Sequence, residues 1–326
     1  MYPKTKKLIL QKQQVGIFSG AVFRFIQNDE MDTEVIGKAA ILPKEEAMTM
    51  EHLFDVASLT KVICTTSVIL RLWERQEINL DQPLYSYLPA FINEKLTIRH
   101  LLTHTSDIQT WINNRDQLNA DELRKAYLTL QSGKDLGKVV KYTDAGTILL
   151  GFMLEEWYQD DLTTIFQREV LDPLEMKNSY FPPIIDINKV IPTQQLTNGT
   201  VLRGVTHDPK ARILGKHAGN AGLFTNLSDM TKFATAYFGN EFLKASTITE
   251  LMTDQTPNRK GNRSLGWDLK SGWLFHTGYT GTFILIHPER RESFIFLSNR
   301  VHPNDYRETY IQHRDEIIQE FLNETI

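Results

Sequence analysis

The spacing of apolar positions changes character along the chain. Over residues 17–26 β-branched and aromatic side chains crowd together, Gln27-Asn28-Asp29-Glu30 supplies a turn, and 33–41 resumes the run, which predicts two paired strands. From Ser58 to about Phe242 the period becomes helical. Val62, Ile63, Ser67, Leu70 and Trp73 mark one face of a helix ending near Glu77, and 97–102 and 144–158 read as two more. Strand patterns return at 272–276, 282–287 and 292–298, the last two separated by the charged turn Pro288-Glu289-Arg290-Arg291-Glu292. A closing amphipathic helix is predicted over 306–322.

Strands at both ends with helices between them predict an α+β fold: one antiparallel sheet built from the two chain ends, flanked by helices, with a helical insertion. The chain carries no repeat, low-complexity tract or Pro/Gly/Ser linker. The expectation is therefore a single domain over 1–326, with a sheet subdomain at about 1–57 plus 215–326 and a mainly helical one at about 58–214. Strands and helices do not alternate as in a doubly wound nucleotide fold, and neither G-x-G-x-x-G nor G-x-x-x-x-G-K-[ST] occurs.

Composition narrows the function classes. The 326 residues carry 36 Lys+Arg against 40 Asp+Glu, a formal net charge of −4, which argues against nucleic acid as a partner. A single cysteine, Cys64, can form neither an internal disulfide nor a thiolate metal cluster, and its place on an apolar helix makes it a small core residue. No stretch approaches the roughly 18 consecutive apolar residues of a membrane span. After the basic start Lys4-Thr5-Lys6-Lys7 only Leu8, Ile9 and Leu10 are apolar, short of the roughly 7–15 residues of a secretory h-region, so the expected location is cytoplasmic.

The chemistry gathers in three clusters. In Ala57-Ser58-Leu59-Thr60-Lys61, a helix starting at Ser58 would put Ser58 and Lys61 on one face a turn apart, an amine within reach of a hydroxyl. A serine needs a neighbouring base to become a nucleophile, and lysine serves only if burial or nearby cations favour its neutral form. On this dyad alone, a serine N-cap with a surface lysine is the commoner arrangement. The second cluster, Lys141-Tyr142-Thr143-Asp144, sets a phenol and a carboxylate two apart in a turn. In the third, His276-Thr277-Gly278-Tyr279, a glycine at a strand edge lets a substrate come close to backbone N–H groups.

In this order the three clusters resemble the serine β-lactamase and penicillin-binding-protein superfamily, more closely its branch of class C β-lactamases, DD-peptidases and carboxylesterases. Leu80-Asp81-Gln82-Pro83, Ile98-Arg99-His100-Leu101-Leu102-Thr103-His104-Thr105-Ser106, Ala218-Gly219-Asn220-Ala221-Gly222-Leu223-Phe224 and Asn299-Arg300-Val301-His302-Pro303 are similar to that branch as well. Together they span roughly residues 16–300. The resemblance implies a β-lactamase/transpeptidase-like fold, Ser58 as nucleophile, Lys61 as its proton acceptor and Tyr142 as a partner in the proton shuttle. It also implies an oxyanion hole from the backbone N–H groups of Ser58 and Tyr279, beside Thr277 and Gly278. Two positions depart from the pattern. Asp144 stands where the family often has Asn, and a carboxylate beside Lys61 would favour the ammonium; either Tyr142 then carries more of the base role or Asp144 points elsewhere. His276 replaces the Lys of Lys-Thr-Gly and, only partly cationic near neutral pH, would hold a substrate carboxylate less firmly.

The resulting expectation is a serine hydrolase that cleaves a small ester or amide through an acyl-Ser58 intermediate, without metal or cofactor. The alternatives are a DD-carboxypeptidase or D-amino-acid peptidase with weak β-lactam binding, and a non-catalytic penicillin-binding-like protein. His100 and His104 have the i, i+4 spacing of helix-borne metal ligands, but no H-E-x-x-H accompanies them, so a structural turn is expected. His207-Asp208 reads equally as a wall of the site or a surface loop. Trp111 reads as a core residue rather than a cleft residue. Loops such as 107–135 and 178–205 are expected to shape the pocket.

Overall fold

The computed structural model describes residues 1–325. Nine strands are formed: β1 (Gly20–Gln27), β2 (Glu30–Ala40), β3 (Glu46–Ala47), β4 (Phe54–Asp55), β5 (Phe224–Thr225), β6 (Asp268–Lys270), β7 (Trp273–Gly278), β8 (Thr282–His287) and β9 (Glu292–Ser298). Seven of them make one antiparallel sheet in the order β3-β2-β1-β9-β8-β7-β6, so the two ends of the chain meet at the β1–β9 pairing. Strands β4 and β5 form a separate two-stranded pair.

The central strands do not alternate apolar with polar residues, because both faces of the sheet are covered. They alternate aromatic with aliphatic. Phe23, Phe25, Phe283, Phe294 and Phe296 point to one face, where they pack with Ile317, Ile318 and Phe321 of the last helix. Val22, Ile284, Ile295 and Leu297 point to the other, into the core shared with the helical part. The predicted strands at 282–287 and 292–298 coincide with β8 and β9. At the first hairpin the turn is shorter than predicted: Gln27 and Glu30 pair directly, and Asn28 takes the left-handed φ of 56° that asparagine tolerates in tight turns.

The helices are α1 (Pro3–Gln14), α2 (Ser67–Glu74), α3 (Ile98–Leu102), α4 (Ala120–Leu128), α5 (Ala145–Tyr158), α6 (Leu162–Phe166), α7 (Pro209–Leu214), α8 (Leu227–Thr235), α9 (Ala245–Leu251) and α10 (Arg307–Glu324). Helix α1, absent from the sequence reading, lies beside α10, and Glu324 accepts from the backbone N–H groups of Lys4 and Thr5. Helix α5 is buried almost all round, which explains why its apolar positions show no stripe. No helix among the described residues is long and apolar enough to cross a membrane.

Trp111 is a correction: it is 86% exposed rather than in the core. Cys64 is buried, as a core residue should be.

Candidate active site

The segment joining β4 to the first long helical run carries the serine. Asp55 is fully buried and accepts from the N–H of Ala57 (2.8 Å) and the N–H of His207 (2.7 Å), tying two distant loops together. Burial pushes its carboxyl up to about 6 against the pull of those two donors. Ala57 then adopts φ 47°, a conformation rare for a residue with a Cβ, and turns the chain so that Ser58 opens the helical run. Helix geometry starts at Leu59, not Ser58, and Lys61–Thr66 is a single π-turn before α2, a device common at functional sites.

Lys61 is 1% exposed, and its ammonium meets three acceptors: Ser58 Oγ at 2.7 Å, the Asn220 carbonyl at 2.8 Å and Asp144 Oδ1 at 2.7 Å. Three acceptors use all three N–H bonds of a charged lysine. Burial alone would lower its pKa, but the Asp144 carboxylate outweighs burial, with Tyr142 and Asp208 adding, and the balance is upward. For Asp144 burial raises the pKa, and the ammoniums of Lys61 and Lys210 overcome it and hold the carboxyl well below its usual range. Asp144 therefore points straight at the lysine. Of the two outcomes left open by the sequence, this is the one that keeps Lys61 charged.

Tyr142 stands half exposed at 49%, its ring 5.6 Å from Lys61 Nζ and 4.5 Å from the ring of His104. His104 is no metal ligand: it is buried, accepts from the N–H of Thr143 through Nδ1, and is held neutral by burial, with Arg263, His276 and Lys61 contributing. His100 caps α3 through its contacts with Thr97. Among the described residues no group of His, Cys, Asp and Glu could hold a metal ion.

On the sheet side, β7 brings His276 and Thr277 to the cleft. His276 corrects the sequence reading. It lies inside β7, between β6 and β8, and is buried; burial first, then Lys61 and Arg263, push its pKa down to about 3. It is a neutral imidazole, not a partly cationic one. Gly278 must be glycine for a packing reason, since a Cβ would come within 2.3 Å of the Val56 carbonyl and 2.1 Å of Thr282 Oγ1. That close approach locks the end of β7 against the serine segment, with Thr280 and Thr282 donating to the carbonyls of Asp55 and Val56. Among the described residues the backbone N–H groups of Ser58 and Tyr279 have no hydrogen-bond partner.

Ser58, Tyr142 and Tyr279 line two cavities at once. One, of about 350 Å³, runs toward α10 and is walled by Arg263, Arg300, Arg307 and Arg314. The other, of about 570 Å³, is walled by Leu196 and Leu202 on one side and by Asp144, Asp208 and Lys210 on the other. Loop 178–205 thus shapes a cavity as expected; loop 107–135 lines neither.

The signature of the Beta-lactamase family matches residues 7–318. The chain belongs to the Beta-lactamase family. As a member of that family it is a serine hydrolase. It is 24% identical over 370 residues to the N-acetylmuramyl-L-alanine amidase of Bacillus subtilis (strain 168), covering 91% of this chain and 82% of that protein. Solved structures similar to it include EstCE1, a hydrolase with promiscuous acyltransferase activity, at TM-score 0.76 and 18% identity, covering 96% of this chain and 97% of EstCE1. A β-lactamase/D-alanine carboxypeptidase from Pseudomonas syringae aligns at TM-score 0.77 and 16% identity, covering 97% of each chain.

Several residues of this β-lactamase-family site escaped the sequence reading. Arg263 is buried, pairs with Asp268, and leaves Nε and Nη2 without a partner. Arg300 donates to the Tyr279 carbonyl and pairs with Asp305, which also accepts from the Tyr279 hydroxyl at 2.6 Å. His207, which the sequence leaves open between a wall of the site and a surface loop, did not escape it: the ring stacks on Tyr279 with centroids 5.4 Å apart and belongs to the wall. Lys210 is the third residue missed: it sits 3.1 Å from the second oxygen of Asp144. The Asp208-Pro209 pair is a recognisable helix-start signal, but nothing local to it shows that Lys210 meets a carboxylate 66 positions earlier.

Proposed function

We propose that the protein hydrolyses a small ester or amide through an acyl-enzyme on Ser58. The observation that carries this reading is the 2.7 Å contact between Lys61 Nζ and Ser58 Oγ at the junction of two cavities, one for each side of a scissile bond. Ser58 Oγ attacks the carbonyl carbon and its proton passes to the phenolate oxygen of Tyr142, which lines both cavities together with Ser58 and has first given its own proton to solvent, since Lys61 is fully occupied as an ammonium. Lys61 supplies positive charge where negative charge grows on Ser58 Oγ. The N–H groups of Ser58 and Tyr279, both unpartnered, receive the carbonyl oxygen as it becomes an oxyanion. Collapse breaks the bond to the leaving group, which takes the proton from Tyr142. Water then attacks the acyl-Ser58 ester, returns a proton to the serine oxygen and releases the acid.

A second reading has its own support. The arginine-walled cavity suits a substrate carboxylate, which favours a D-amino-acid peptidase or DD-carboxypeptidase with weak β-lactam binding; the β-lactamase/D-alanine carboxypeptidase of Pseudomonas syringae, whose fold this chain shares, is of that class.

The test is to incubate the protein with p-nitrophenyl esters, a fluorophosphonate, D-alanyl-D-alanine peptides and a β-lactam, and to locate any adduct by mass spectrometry. Ester turnover that disappears in Ser58→Ala, with the phosphonate on Ser58, supports the first reading. Peptide hydrolysis with slow β-lactam acylation of Ser58 supports the second. No adduct and no turnover would leave a non-catalytic ligand-binding protein.

A further inference from the structure

The charged groups around Lys61 form a closed ring. Lys61 Nζ meets Asp144 Oδ1 at 2.7 Å, and Asp144 Oδ2 meets Lys210 Nζ at 3.1 Å. Lys210 Nζ in turn meets Asp208 Oδ2 at 2.9 Å. The other oxygen of Asp208 accepts from Asn220 Nδ2 at 3.1 Å, and the Asn220 carbonyl accepts from Lys61 at 2.8 Å. Asp208 is fixed besides by the Ala211 N–H at 2.8 Å, as the N-cap of α7. Two ammoniums and two carboxylates alternate, so the ring is neutral. Its charged members come from three separate stretches of chain and face the 570 Å³ cavity through Asp144, Asp208 and Lys210.

We propose that Lys210 is a positioning residue for the hydrolytic centre: by sharing the Asp144 carboxylate with Lys61 it offsets the negative charge that Asp144 brings to Ser58. The inference rests on the acyl-Ser58 reading above. A carboxylate beside Lys61 opposes any step that makes Ser58 or Tyr142 more negative. Lys210 returns one positive charge on the far oxygen of the same carboxylate. Among the described residues Asp144 forms ion pairs with Lys61 and Lys210 alone, so no other cation can take over. The remaining titratable and charged groups packed around the ring are accounted for. Tyr142, His104, His276 and Arg263 lie toward the sheet, Tyr127 lies behind Asp144, and Asp55, His207 and Arg212 flank Asp208. Both imidazoles on the sheet side are held neutral, and Arg263 is paired with Asp268. Burial lowers the pKa of Lys210, while Asp144 and Asp208 outweigh it, so the offsetting charge is present across the working range.

The experiment is the pH profile of kcat/KM for p-nitrophenyl acetate in the wild type, Lys210→Met, Lys210→Arg, Asp144→Asn and the double variant Lys210→Met/Asp144→Asn. Removing the Lys210 charge should move the acid limb to higher pH by about one unit, an about tenfold loss below the limb, with the alkaline plateau little changed. Lys210→Arg should restore the limb. In the Asp144→Asn background Lys210→Met should no longer move it, because the charge it offset is gone. A merely structural lysine would lower the plateau at every pH, or move the limb equally in both backgrounds; either result overturns the inference, as does an unmoved limb in Lys210→Met. Should Lys210→Met not fold, Lys210→Gln carries the same comparison. Fluorophosphonate labelling of Ser58 keeps the two failures apart. A wild type that labels and turns over while its limb ignores Lys210 overturns this inference alone; a wild type that does neither overturns the acyl-Ser58 reading and this inference with it.

Discussion

Lys61 and Asp144 face each other at 2.7 Å, the same distance that separates Lys61 from Ser58 Oγ. The carboxylate therefore competes with the serine for the charge of one ammonium. Asp144→Asn removes that competition and leaves the ring with one net positive charge, Lys210 keeping its pair with Asp208. The acid limb of the pH–rate profile should move to lower pH by about one unit or more, raising activity at pH 6 relative to pH 9. In the wild type activity should rise from pH 6 to 9, because a proton must leave the site before attack. Ester turnover across that range checks both; a flat or falling wild-type profile would contradict them.

Restoring the lysine that the family carries at position 276 should not improve the enzyme. The pocket that holds His276 is buried, already contains the charges of Lys61 and Arg263, and pushes even an imidazole to about 3. An ammonium there would be buried without an anion. His276→Lys should cost about 3 kcal/mol or more of stability and reduce turnover. Urea unfolding and ester kinetics read the two effects, and a stable, more active variant would show that the site admits a cation.

Gly278→Ala tests the lock between β7 and the serine segment. The new methyl group would overlap the Val56 carbonyl and Thr282 Oγ1, and neither is a flexible side-chain end. A loss of about 2–3 kcal/mol is expected, with kcat falling more than KM rises, because Tyr279 N–H would move away from Ser58. Thermal unfolding with steady-state kinetics decides it.

Asp55 should impose a pH dependence on stability that runs opposite to that of a salt-bridged carboxylate. Its pKa is raised from 3.8 to about 6, so the folded chain binds the extra proton. The contribution is complete below about pH 4 and falls by up to about 3 kcal/mol as pH rises through 6. Urea unfolding from pH 4 to 7 should show this loss in the wild type and a flatter profile in Asp55→Asn.

The elements best legible in the sequence were those whose signal is local. Strands 282–287 and 292–298 stand between charged or glycine-containing turns, and their runs of Phe, Ile and Leu leave no other period to fit. Ser58 and Lys61 could be paired because three positions of one helical turn decide their distance. What could not be read depends on contacts between distant segments. Helix α1 hides behind its lysines, since only Thr5 and Ile9 are buried, and that burial is made by the far end of the chain. The neutrality of His276 follows from its place between β6 and β8, and the direction of Asp144 from Lys61 and Lys210 together. Residue type alone points Trp111 to the core; the loop that carries it turns its ring to solvent.

The pairing of β1 with β9 joins residues 21–27 to residues 292–298, and β7 completes the cleft only when β8 has aligned beside β9. A ribosome must therefore deliver residues 292–298 before β1, already paired with β2, finds its second neighbour. Until then Ser58 sits on an unfinished scaffold with no strand to close over it, so hydrolytic competence should arise abruptly once β9 has emerged rather than grow with length.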